Sequence, residues 1–135
     1  MVSNEKLEVE LVSPEKKVFS KDADMVIISG TEGDFGVLPG HSPIISTIRP
    51  GSLEIHESSD IEKMFVAGGI VEVLDDKVSI LATEVINKDN IDVSNCETKI
   101  SDYTSKMQTA ENEIEKENNQ KLIDKYQSMI EFKNL

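Results

Sequence analysis

Apolar and polar positions along the chain follow two different periods, and the change comes near residue 86. Before it, LEVEL (Leu7 to Leu11) alternates strictly with a period of two. MVIIS (Met25 to Ser29), PIISTI (Pro43 to Ile48), SLEIH (Ser52 to His56), KMFVA (Lys63 to Ala67), GIVEVL (Gly69 to Leu74) and KVSILA (Lys77 to Ala82) follow it. These runs are short, rich in Val and Ile, and bounded by turn residues, which predicts strands. Asp75-Asp76 predicts a tight hairpin turn, and Glu57 to Asp60 (ESSD) a longer polar hairpin loop. No helical pattern separates the strands, so a parallel sheet built by crossover helices is excluded and an antiparallel sandwich or barrel is expected.

From about residue 91 the chain contains no glycine and no proline. Cys96, Ile100, Tyr103, Met107, Ala110 and Ile114 recur at spacings of 4, 3, 4, 3 and 4, one apolar stripe of a helix. Leu122, Ile123, Tyr126, Met129 and Ile130 form a second stripe, out of phase with the first. The pattern predicts two amphipathic helices with a break between Met107 and Asn112 and Thr109 as an N-cap; one long helix is the alternative. Asp92 or Ser94 caps the first helix. The predicted class is α+β: an N-terminal antiparallel β-sandwich, residues 1–86, then a linker and helical hairpin, residues 87–135.

Composition narrows the function. The chain has 135 residues, 38% hydrophobic and 4% aromatic, which allows one modest aliphatic core plus a small appendage. A net charge of −12 argues against nucleic acid and against adhesion to anionic lipid, and favours a basic protein surface as partner. The single cysteine, Cys96, forms no internal disulfide and reads as a small apolar residue on a helix face. No apolar run approaches the roughly 20 residues of a membrane helix, so no direct lipid insertion is expected. The start, MVSNEKLEVEL, lacks the pattern of a signal peptide, so the chain is expected to stay in its compartment of synthesis.

The richest stretch is GTEGDFGVLPGHSP, Gly30 to Pro43, with four glycines, two prolines, one histidine and two carboxylates. Its Gly30-x-x-Gly33-x-x-Gly36 spacing is neither a dinucleotide fingerprint nor a phosphate loop, and no Lys or Arg stands in it. Glu32 and Asp34 would share a face on a strand and could do acid–base work, although solvated loop carboxylates are the simpler reading. His41 and His56 with one cysteine do not make a zinc site, and no cofactor is expected. His41 has no identifiable catalytic partner, so a structural role is favoured. The exposed helix stripes and the acidic surface are features of a protein that touches other proteins.

These residues also carry a resemblance. GTEGDFGVLPGHSP followed by IISTIRPGSLEI is similar to the pattern G-x-E-G-x-[FL]-G-[VI]-[LY]-P-G-H-[AS]-P…P-G of the epsilon subunits of bacterial rotary (F-type) ATP synthases. FVAGGIVEVLDDKVSILATEV, from Phe65, resembles the family's F-x-x-G-G-[FI]-x-E-V…V-x-[IV]-L-A, and LEVELVSPEKKVFS fits its opening strands. The resemblance spans nearly the whole chain. It implies a sandwich of about ten strands, a C-terminal helical hairpin, and a non-catalytic role. It implies as partners the gamma subunit of the central stalk and the membrane ring of c subunits, with the alpha and beta subunits of the catalytic head in reach of the hairpin. It implies a peripheral location on the cytoplasmic face of the bacterial inner membrane. Glu32, Asp34 and His41 match loop positions near the c ring or the stalk.

Some members of the family bind ATP through a motif near [IL]-D-x-x-R-A. Ile91 and Asp92 are its remnant here, with Asn95 at the arginine position and Cys96 at the alanine position. Loss of the cation removes the main phosphate partner, so weak or no ATP binding is expected. In several members the hairpin blocks ATP hydrolysis, using basic helix surfaces. Residues 91 to 135 carry six Lys against nine Asp and Glu, which disfavours that docking. Two other classes stay open on the sequence alone: a small enzyme centred on the Gly30 to Pro43 loop, and a free-standing β-sandwich adaptor that dimerises through its helices.

Overall fold

The computed structural model describes residues 5–15 and 17–135. The chain divides into two units, Met1–Ile86 and Asn87–Leu135. Among the described residues the first unit has ten strands: β1 Leu7–Val12, β2 Lys17–Ala23, β3 Met25–Gly30, β4 Gly33–Val37, β5 Ile44–Ile48, β6 Gly51–Glu57, β7 Asp60–Val66, β8 Gly69–Leu74, β9 Lys77–Ala82 and β10 Val85–Ile86. They join in the order β10-β7-β6-β3-β5-β8-β9-β1-β2, with β4 beside β3. The sheet curls back on itself: β2, at one end of the order, packs against β6, and Lys21 Nζ on β2 pairs with Glu62 Oε2 on β7 at 2.7 Å.

The core follows the period-two pattern. Leu7, Val9 and Leu11 of β1, Leu53 and Ile55 of β6, Val71 and Val73 of β8, and Val78, Ile80 and Ala82 of β9 all face inward and are buried. Each Val, Leu and Ile among them contributes roughly 1.5–3 kcal/mol by leaving water. All pairings are antiparallel except one: β1 runs parallel to β9, from Glu8 beside Lys77 to Val12 beside Leu81. The antiparallel expectation fails there. The strands between them form one long excursion, which brings the two strands together without a crossover helix.

Three strands lay outside the alternating runs. β4 is the main one, since half of the presumed Gly30 to Pro43 turn system pairs with β3, Val26 opposite Val37 through Gly30 opposite Gly33. β2 and the two-residue β10 are the others. The Asp75-Asp76 turn is as expected, with φ of 49° and 62°. The Glu57 to Asp60 connection is tighter than expected, because Glu57 pairs with Asp60 and only Ser58 and Ser59 turn. At the start of β8, Gly69 has φ +142°, and a Cβ there would collide with the Leu81 carbonyl on β9.

The second unit starts with a short 3-10 turn, Lys88–Asn90, then α1 Val93–Gln108 and α2 Glu113–Lys133. Asp92 is the N-cap of α1, accepting from the Asn95 N–H at 3.3 Å. The break falls where expected, but Thr109 ends α1 and does not start α2. Asn112 is the N-cap of α2, accepting from the Glu115 N–H at 2.9 Å, while Glu115 Oε2 reaches back to the Glu111 N–H at 3.0 Å. This reciprocal box replaces the missing glycine as the reason for the break. The first stripe therefore stops at Met107, and Ile114 is 71% exposed on the next helix. The helices face each other through Tyr103 and Tyr126, stacked with ring centres 6.1 Å apart. At the base of the unit Lys88 Nζ donates to the Leu135 carbonyl at 2.7 Å and Lys133 Nζ to the Lys88 carbonyl at 2.9 Å.

Gly69→Ala should destabilise the first unit by about 3 kcal/mol, the combined scale of a left-handed backbone strain and an overpacked contact; urea unfolding measures it. A second expectation concerns acid. The Lys6 ammonium, 2.6 Å away, and the Ser58 N–H hold the Asp24 carboxyl below the usual carboxylate range. A lowered native value gives stability that is present above the unfolded carboxylate range and lost as pH falls through the native value. Asp24→Asn should flatten the stability profile in that acid window, measured by unfolding at stepped pH.

Candidate functional site

The glycine-rich stretch folds as two pieces at opposite ends of β5. The first is the tip of the β3–β4 hairpin, Gly30 to Asp34. Its geometry requires glycine twice. A Cβ on Gly30 would press on the Gly33 carbonyl and the Phe35 ring at 2.9 Å each, and Gly33 has φ +132°. Thr31 bonds to Thr47 on β5 twice, N–H to carbonyl at 3.1 Å and hydroxyl to hydroxyl at 2.8 Å.

Arg49, in the β5–β6 corner, fastens this tip. Its Nη1 donates to the Gly30 carbonyl at 3.0 Å and its Nη2 to Asp34 Oδ1 at 2.6 Å. Its backbone N–H donates to the Ser29 carbonyl at 2.9 Å, and the buried Ser29 hydroxyl donates back to the Arg49 carbonyl at 2.9 Å. Asp34 is therefore a paired carboxylate. Glu32, at the turn itself, is exposed and makes no ion pair among the described residues.

The second piece is Leu38 to Pro43. Gly40, with φ +88°, donates its N–H to Asp76 Oδ1 at 2.7 Å, which ties this segment to the β8–β9 turn. The His41 N–H donates to the Leu38 carbonyl at 3.1 Å, and the ring Nδ1–H donates to the Ser42 carbonyl at 2.6 Å. His41 therefore lies beyond the Ile44 end of β5, and Glu32 and Asp34 lie by the Ile48 end; the strand between those ends is about 13 Å long at about 3.3 Å per residue. The structure brings Glu32 and Asp34 together and does not bring His41 to them. Asp76 does more than turn the chain, and Arg49 is the residue that sequence reading missed. The signal available for Arg49 was faint: it is the one cation between the loop and Pro50-Gly51.

Between the two pieces, the outward faces of β5, β8 and β9 carry Ile45, Ile70 and Leu81, which are 71%, 47% and 57% exposed. Ile70 is the register partner of both Thr47 and Leu81, and Ile45 of Glu72. In strands that alternate correctly inward, these outward aliphatics are an apolar surface patch set among polar neighbours.

The other named positions have local tasks. Ile91 is buried, and the Asp92 carboxylate is occupied as the α1 cap. Burial, with Asp92 and Glu97 nearby, pushes the Cys96 thiol up, which keeps it protonated and unreactive. Among the described residues no group of three or more His, Cys, Asp or Glu could hold a metal ion, and no helix is long and apolar enough to cross a membrane.

Comparison with known proteins agrees with this architecture. Residues 6–88 match the model of the ATP synthase delta/epsilon chain β-sandwich domain. The chain is 38% identical over 125 residues to the ATP synthase epsilon chain of Maricaulis maris (strain MCS10), covering 93% of this chain and 94% of that one. It is 44% identical over 102 residues to the epsilon chain of Myxococcus xanthus (strain DK1622), covering 76% and 75%. A chain in the cryo-EM structure of the Euglena gracilis mitochondrial ATP synthase (OSCP/F1/c-ring) shares the fold, with a TM-score of 0.83 at 19% identity over 94% of this chain and 81% of that one. The chain belongs to the ATP synthase epsilon-chain family, whose members are subunits of that enzyme and not its catalytic part.

Proposed function

We propose that this chain is the central-stalk subunit that links gamma to the c ring of a proton-translocating F-type ATP synthase, on the cytoplasmic face of the bacterial inner membrane. The observation that carries the reading is the two-ended loop around β5. One end is a rigid acidic tip with Glu32 exposed; alongside runs the aliphatic patch of Ile45, Ile70 and Leu81. An aliphatic patch on a rigid sheet suits a permanent protein neighbour, for which we take gamma. A fixed acidic tip suits a polar, basic loop surface, for which we take the c ring, where charge gives orientation and register. Torque transfer needs such a fixed seat and no bond chemistry. His41, packed into its own turn, serves the stalk side of the loop.

The hairpin is the regulatory candidate, reaching toward the alpha and beta subunits. Its net charge opposes docking through basic helix surfaces, so we expect at most a weak brake on hydrolysis. Weak or no ATP binding is expected at Ile91 and Asp92, because the Asp92 carboxylate is engaged in capping and Asn95 replaces the arginine of the motif.

Ile45→Asp and Leu81→Asp should each weaken co-elution with gamma by about tenfold or more in affinity, about 1.4 kcal/mol, with unfolding midpoints little changed. Glu32→Lys should leave gamma binding intact and lower the yield of ATP per proton in reconstituted vesicles. Retained gamma binding in both patch variants would move the stalk contact elsewhere. Removal of residues 87–135 should raise ATPase activity of the reconstituted head only slightly; a large rise would show an effective brake.

A further inference from the structure

Strand β4 has β3 on one side and, among the described residues, no neighbouring strand on the other. Its register with β3 starts at a two-residue turn, so Gly30 with Gly33, Ile28 with Phe35 and Val26 with Val37 exchange the ladder bonds. The N–H and C=O of Asp34 and Gly36 therefore point to the open side. An unpaired row of this kind is a template for another strand.

Gly36 is the second observation. The chain has seven glycines. Gly33, Gly40, Gly68 and Gly69 have positive φ, and at Gly30 and Gly51 a Cβ would stand 2.9 Å and 2.8 Å from its nearest neighbour. Gly36 has neither reason: its φ is not positive, and a Cβ there meets nothing within 4 Å. A glycine inside a strand is less stable than an alanine, so within the chain this one is a loss. Outside the chain it has a use, since it lets a second backbone or a bulky side chain come close. Phe35 and Val37 pack on the core, so Gly36 lies on the outer face, where its register partner is the half-buried Ile27. Leu38, two residues on, is 56% exposed.

We propose that the open edge of β4 takes up a short extended segment of a neighbouring protein as an added strand, with a large apolar side chain of that segment laid over Gly36 against Ile27 and Leu38. Main-chain bonds to Asp34 and Gly36 supply affinity, and the bare glycine selects the side chain. The inference needs the chain to sit in the assembled enzyme and does not depend on the gamma or c-ring assignments.

The test uses the full chain, titrated into membranes stripped of it, with recovery of ATP-driven proton pumping and amide hydrogen exchange as readouts. Gly36→Val should unfold at the same urea concentration as the wild-type chain or a higher one, because its Cβ meets nothing and a β-branched residue suits a strand. The same variant should raise the amount needed for half-recovery by about tenfold or more, with Gly36→Ala between. Gly36→Pro, whose missing N–H lies on the open side, should lose as much. In the wild-type chain the Asp34 and Gly36 amides should exchange freely before assembly and slow by roughly a hundredfold or more after it. Lower stability of Gly36→Val would give the glycine a folding role and overturn the proposal. Unchanged half-recovery in Gly36→Val, while Ile45→Asp and Leu81→Asp fail to bind, would overturn it and keep the patch reading. Loss in Gly36→Val without slowed exchange at Asp34 and Gly36 would place a side chain there in place of a strand. A dimer of the isolated chain that Gly36→Val splits would name a second copy as the occupant. Either of these last results would also overturn the proposal.

Discussion

The first unit depends on one constraint: most long strands turn the larger share of their apolar side chains to one face, and those side chains are mostly aliphatic. The whole chain offers four Phe, two Tyr and no Trp. Burial must therefore come from many Val, Ile and Leu side chains meeting across a small gap, which a flat sheet cannot provide. Curling the sheet solves this. It brings β2 against β6, pairs Lys21 with Glu62, and sets β1 beside β9 in the one parallel pairing. The tight corners follow from the same curl. At Gly69 and Gly30 the backbone or an aromatic ring occupies the space where a Cβ would stand.

That constraint explains what the sequence made legible. Alternation marked β1, β3, β5, β6, β7, β8 and β9, and the aspartate pair marked the turn after β8. It could not mark β4, because GDFGV carries its pairing in the backbone and has only Phe35 and Val37 as apolar positions. A strand hidden among glycines turned one expected site into two, and placed His41 at the far end of β5 from Glu32. The helix break was read to within a few residues, yet its cause was misplaced onto Thr109. The informative signal was Asn112 with Glu115, a capping box without Ser or Thr.

The residues that hold the site together are those that sequence reading cannot pair. Asp76 meets Gly40 across 36 positions, and Arg49 meets Asp34 across 15. Neither pairing has a period or motif, and each depends on a register that exists only after the sheet closes. Composition pointed to a protein-binding surface, and the family resemblance named its class. That Asp34 pairs with Arg49, while Glu32 makes no ion pair among the described residues, came from geometry alone.

The two units also differ in how their order is maintained. In the sandwich, buried aliphatics and glycine-dependent corners leave the tip almost no alternative arrangement, so a partner meeting it has little ordering to impose. Ordering a rotamer-rich side chain on binding costs about 0.5–1.5 kcal/mol, and a fastened Arg49 has already lost that freedom in folding. The helical unit buries only Ile91, Cys96, Ile123, Met129 and Phe132, and adds to them a stacked tyrosine pair, end caps and lysine-to-carbonyl bonds at its base. The first turns of α2 are exposed and nearly all polar, from Glu113 to Asn118. Helical order of that kind comes mainly from caps and i,i+4 contacts worth tenths of a kcal/mol each, such as Gln120 with Asp124. A seat that must transmit force belongs on the first kind of structure. The proposed regulatory element belongs on the second, where each cap and local pair contributes only a small increment of stability.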